Sequence, residues 1–159
     1  MIDNFLPKEK FLILRDNLVF NTEFPFFLHS GVTKPEDSND DWFASHVVYD
    51  QGVPISDVYD EIGNIFFPYF NMRSLLRIKI NFYPHTDKVV EHQSHIDYDF
   101  PHTAAIFSLN TCDGYTKIDN DAIVGSVENR MLFFDGSNPH RSTTTSNAKG
   151  RFNIAFNYL

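Results

Sequence analysis

The chain has 159 residues, 42% of them hydrophobic and 17 of them Phe, which suits one folded domain with a sizeable core and excludes a disordered chain. A net charge of -8 argues against non-specific binding to nucleic-acid backbones or anionic membranes. Cys112 is the single cysteine, so no internal disulfide is expected, and a reducing compartment fits.

The opening MIDNFLPKEKF has no basic leader or long apolar stretch, and no run approaches a membrane span. A cytoplasmic location is therefore the expectation. Residues 5–20 carry apolar side chains at Phe11, Leu12, Leu14, Leu18 and Val19, which predicts a short helix with Pro7 at its first position. Residues 21–51 are mixed aromatic and polar, and read as a long irregular segment with one strand over 42–49. In residues 56–67, Val58, Tyr59, Ile62, Ile65 and Phe66 share one face, which predicts a second helix capped by Ser56.

From Leu75 onward the texture becomes short β-runs between turn residues. LLRIKINFY ends at Pro84, and KVVEHQSHI, HTAAIFSLN, GYTKI, AIVGSV, RMLFF, a stretch over 140–145 and RFNIAFNYL follow. About eight short strands at this spacing predict a jelly roll or barrel. The first and last strands alternate. Ile78, Ile80 and Phe82 oppose Arg77, Lys79, Asn81 and Tyr83; Phe152, Ile154, Phe156 and Tyr158 oppose Arg151, Asn153, Ala155 and Asn157. This pattern fits a sheet with its apolar face on the N-terminal helices and its polar face lining a wet pocket. It also fits an ordinary amphipathic sheet facing solvent.

His95-Ile96-Asp97 puts an imidazole and a carboxylate on one face of a strand, since residues i and i+2 point the same way. His140, 43 residues past Asp97 and after a loop of turn residues, supplies the third ligand if its strand folds alongside. Two His and one carboxylate make the facial triad that holds Fe(II) in oxygenases and leaves positions open. His92 is off the face by parity, His102 opens the next strand, and His29, His46 and His85 read as surface or hydrogen-bonding groups. A cation for the far carboxylate of a dicarboxylate co-substrate is supplied by Arg151 or by Lys117, Arg151 being favoured for its fixed charge and bidentate fork.

These residues resemble the 2-oxoglutarate/Fe(II)-dependent oxygenase superfamily in its prolyl-hydroxylase-like, small phage-type form. The shared pattern is H-x-D, a distal His, and Arg or Lys about ten residues later: His95, Asp97, His140 and Arg151. Asn81-Phe82-Tyr83-Pro84 is similar to the N-x-Y-P of plant-type members, and Arg151-Phe152-Asn153 to their R-x-S pair, with Asn for Ser. The resemblance implies a mainly β double-stranded β-helix (jelly roll, cupin-like) over residues 75–159, with residues 1–70 as helical and irregular support on the major sheet. It implies Fe(II), 2-oxoglutarate and O2, with Tyr83, Asn81, Asn153 and Arg151 toward the co-substrate. The implied activity is hydroxylation of a protein side chain, peptide or amino acid. Substrate entry is expected past residues 21–51, 85–94 and 98–101; Trp42, Tyr98 and Arg141 are candidate contacts but read first as structural residues, and Arg141, next to His140 on a regular strand, is expected to point away. A membrane or nucleic-acid partner is not expected, and the oligomeric state is left open. The alternatives are a non-enzymatic jelly-roll binding module, a cupin-type metal enzyme that uses no 2-oxoglutarate, and a structural or virion component on the same fold.

Overall fold

A computed structural model describes residues 1–29, 42–118 and 122–159. The alternating segments become its two longest strands, β4 (Leu75–Pro84) and β10 (Gly150–Tyr158), paired antiparallel so that Arg151 faces Tyr83, Asn153 faces Asn81 and Asn157 faces Arg77. Period-two alternation is thereby converted into two chemically distinct sheet faces. On one face Ile78, Ile80, Ile154 and Phe156 are fully buried against Phe11, Leu14, Leu18, Ile62 and Phe66. Burying each such side chain contributes roughly 1.5–3 kcal/mol. The other face carries Arg77, Lys79, Asn81, Tyr83, Asn153 and Asn157 into a cavity.

The remaining elements in chain order are α1 (Lys8–Arg15), β1 (Phe27–His29), β2 (Phe43–Asp50), β3 (Val53–Pro54), α2 (Tyr59–Phe66), β5 (Thr103–Ser108), β6 (Tyr115–Ile118), β7 (Ala122–Gly125), β8 (Arg130–Asp135) and β9 (His140–Arg141). The large sheet runs β1-β2-β4-β10-β5-β8 with β3 on β2, and the small one runs β7-β6-β9. The two sheets form a jelly roll, whose small sheet is extended toward the cavity by bridges between His95 and His140 and between Glu91 and Thr143.

Several local expectations are corrected. The first helix is shorter than 5–20: Pro7 precedes it rather than opening it, and a π-helical turn (Asp16–Phe20) closes it. The second starts at Tyr59, not at residue 56. Val58 is its N-cap and no side chain caps it; Ser56 stands two residues earlier, its hydroxyl on His46 Nε2 at 2.6 Å and accepting from the Val58 N–H at 3.4 Å, and a 3-10 turn (Phe67–Tyr69) follows the helix. Residues 21–51 hold β1 as well as β2, whereas residues 30–41 lie outside the described part. KVVEHQSHI forms only isolated bridges, not a regular strand. No helix among the described residues is long and apolar enough to cross a membrane.

Candidate metal and co-substrate site

One ligand atom each from His95, Asp97 and His140 lies within 4.8 Å of the others. The His95–His140 bridge creates this convergence, since each backbone N–H donates to the other's carbonyl, at 2.9 and 2.8 Å. Residues 45 positions apart are thus placed side by side by two backbone hydrogen bonds, and their rings sit 4.5 Å apart between centroids.

The triad is held by a second layer. His140 Nδ1 donates to the Asn138 carbonyl at 3.0 Å, which turns Nε2 toward Asp97 Oδ2, 3.6 Å away. Asp97 Oδ1 accepts from Arg77 Nη2 at 2.5 Å, and Oδ2 accepts from Asn157 Nδ2 at 2.9 Å. Asn157 Nδ2 spends its second proton on His102 Nε2 at 3.2 Å, and His102 Nδ1 in turn donates to the Phe100 carbonyl at 2.9 Å. Burial works against ionisation of Asp97, but Arg77, His140 and Asn157 outweigh it and hold the carboxyl below its usual range. Burial, and then the neighbouring His140, push His95 down, so its imidazole is neutral at pH 7.

These residues fit a divalent cation. The donor set is two imidazoles and one ionised carboxylate.

Farther along the same sheet face is Arg151, 1% exposed. Its Nη2 donates to Thr116 Oγ1 at 2.8 Å and its Nη1 to the Thr143 carbonyl at 3.4 Å, while Nε is buried without a partner. Its guanidinium lies over the Tyr83 ring at 5.4 Å. No carboxylate pairs with it among the described residues, so a buried, permanently charged fork is left for an incoming anion. Asn81 Nδ2 donates to Asn153 Oδ1 at 3.0 Å, and both residues line the cavity with Tyr83 and Thr116. Lys117 takes the opposite parity on β6 and pairs with Glu91 at 3.8 Å, away from this wall.

One further expectation is corrected. His92 is not off the face: the segment is irregular, so parity fails, and the ring is buried against Tyr83 with Nδ1 on Ser142 Oγ at 2.8 Å. Arg141 points away from the cavity toward Glu91, at 3.4 Å, as its place beside His140 predicts. Tyr98 lies under Arg77 and against His102, and Trp42 packs on Phe82. His29, His46 and His85 are hydrogen-bonded to Ser45, to Pro25 and Ser56, and to Ala148 respectively. Sequence reasoning listed Arg77 and Asn157 only as polar-face residues. Their register as a facing pair beside Asp97 is a property of strand pairing, and parity alone gave no means of finding it.

No family model and no curated protein sequence matches the chain. Solved structures do. A prolyl hydroxylase from Trichoplax adhaerens, in complex with a hypoxia inducible factor oxygen degradation domain peptide fragment, is similar at TM-score 0.65 and 15% identity over 99% of this chain and 81% of that one. A Pseudomonas putida prolyl-4-hydroxylase is similar at 0.61 and 13%, over 99% and 90%. The viral collagen prolyl hydroxylase of Paramecium Bursaria Chlorella virus-1, in its 2OG complex, is similar at 0.62 and 12%, over 99% and 93%. The chain has the jelly-roll fold of the 2-oxoglutarate/Fe(II) oxygenases.

Proposed function

We propose that the chain is a 2-oxoglutarate- and Fe(II)-dependent dioxygenase that hydroxylates a protein side chain, peptide or amino acid. The observation that carries this reading is one cavity lined by His95, Asp97 and His140 and also by Tyr83 and Thr116, behind which lies the buried Arg151, with no carboxylate partner among the described residues. A peptide substrate is supported by the peptide-bound prolyl hydroxylase among the similar structures.

In this reading His95, Asp97 and His140 would hold Fe(II), and Arg151 would hold the far carboxylate of 2-oxoglutarate. The bound metal and co-substrate supply O2 activation and C–H oxidation, with succinate and CO2 released. The chain's own residues do the positioning. Asn138 fixes the His140 tautomer, and Arg77 and Asn157 fix the Asp97 carboxylate from two sides. Thr116 aims the Arg151 fork, and the Tyr83 ring supports its face. Ala104, Ile106 and Ala155 line the cavity with small or apolar groups that exclude water near the reacting atoms.

The test is anaerobic thermal shift with Fe(II) or Mn(II), alone and with 2-oxoglutarate. Metal raises the melting temperature, and 2-oxoglutarate adds a second increment only when metal is present. Metal stabilisation without the second increment supports a cupin-type enzyme instead, and no response to either supports a binding module.

A further inference from the structure

The cavity holds a third cation that neither the metal nor the co-substrate uses. Lys79 is half-buried in the wall opposite Ala155, and its Nζ lies over the Phe43 ring at 5.1 Å. Arg77 is committed to Asp97, but no carboxylate pairs with Lys79 among the described residues. An ammonium held out of water without a counter-charge is unfavourable, and burial, with Arg77 beside it, pushes this one down to about 8.

Lys79 belongs to the metal end of the cavity. It lies two residues from Arg77, which holds Asp97, it lines the cavity with His95 and Asp97, and the Phe43 ring under its ammonium stacks on His29 at 4.7 Å between centroids. Arg151 instead pairs across the strands with Tyr83, four residues farther along β4. The two cations therefore serve different ends. One stands beside Tyr83 and Thr116; the other stands over Phe43 of β2, beside the residues that surround the triad.

We infer that Lys79 is a specificity-determining residue that binds an anionic group, a carboxylate or a phosphate, on the principal substrate. The inference rests on the oxygenase reading for the identity of the site, and it deepens that reading by naming the substrate's charge. An acidic protein with net charge -8 repels such a molecule at long range, so a local cation beside the metal is what would select it.

The test is calorimetric titration of wild-type, Lys79→Met and Lys79→Arg proteins, each metal-free and loaded with Mn(II) and 2-oxoglutarate. The probes are the N-acetyl amides of aspartate, glutamate and phosphoserine, with those of asparagine, glutamine and serine as neutral counterparts. In loaded wild type the acidic probes bind about tenfold tighter than the neutral ones. Lys79→Met removes that preference and leaves 2-oxoglutarate affinity unchanged, whereas Lys79→Arg retains both. The aspartate and phosphoserine arms tell carboxylate from phosphate. Equal binding of acidic and neutral probes, absence of probe binding, or a loss in Lys79→Met that falls on 2-oxoglutarate would overturn the inference. A wild type that binds no 2-oxoglutarate with Mn(II) sinks the oxygenase reading instead, and a Lys79-dependent acidic preference in the metal-free protein then still stands by itself.

Discussion

Arg77 grips one oxygen of Asp97 and leaves the other facing His140: Nη2 to Oδ1 is 2.5 Å, and Oδ2 to His140 Nε2 is 3.6 Å. A carboxylate that is free to rotate presents either oxygen to a metal. One clamped by a guanidinium presents only the second. The clamp comes from strand pairing, because Arg77 and Asn157 face each other across β4 and β10 and reach the same carboxylate.

Arg77→Met accordingly weakens metal binding without removing a ligand. Loss of such a supporting hydrogen bond costs about 10–100-fold in affinity. Mn(II) titration by calorimetry or electron paramagnetic resonance reads it. Unchanged affinity would mean that Asn157 alone orients the carboxylate.

Arg151 and Lys117 are separable by substitution. Arg151→Leu removes the buried fork, and truncating one partner of a buried charge pair costs about 2–5 kcal/mol. The expected result is a 2-oxoglutarate affinity lower by ~100-fold, with Mn(II) affinity retained. Lys117→Ala changes neither, because its amine lies with Glu91 on the other side of β6. The reverse outcome would transfer the carboxylate-binding role to Lys117.

His92 gives the fold a dependence on pH. Burial, then Arg151 and His95, push its imidazole down to about 4, against 6.5 in an unfolded chain. As pH falls through 6.5 the unfolded chain takes up a proton that the folded protein refuses. Stability is therefore full above pH 6.5 and declines between 6.5 and 4, on the order of 3 kcal/mol for this group. Urea denaturation at stepped pH measures the slope, and His92→Gln flattens it. An equal slope in the variant would assign the acid sensitivity to other groups.

Much of this architecture was legible because the chemistry repeats with period two. Ile78, Ile80, Ile154 and Phe156 announced one face, and Arg77 to Tyr83 and Arg151 to Asn157 the other. His92 was misread for the same reason. Parity holds only along a regular strand, and its segment is held by isolated bridges that let the ring turn inward. Ser56 was misread because a hydroxyl near a helix start suggests a cap, while the long-range partner that takes it, His46, is invisible to local pattern. Contacts that depend on register, such as Arg77 with Asp97 or Arg151 with Thr116, require knowing which strand lies beside which.

Gly114 offers a last test of the co-substrate end. A Cβ there would stand 2.6 Å from the Thr144 carbonyl oxygen and 2.8 Å from Arg151 Cδ. The first contact is backbone and cannot rotate away, so Gly114→Ala must displace either β6 or the strand segment beside it. Overpacking of this kind costs about 1–3 kcal/mol. Because the second contact is the stem of Arg151, the same substitution moves the guanidinium off Thr116 and lowers 2-oxoglutarate affinity beyond the loss of stability. Gly125→Ala is the control, since a Cβ there meets nothing within 4 Å. A Gly114→Ala protein that is destabilised yet binds 2-oxoglutarate as tightly as wild type would show that the guanidinium does not need its Thr116 contact to receive the carboxylate.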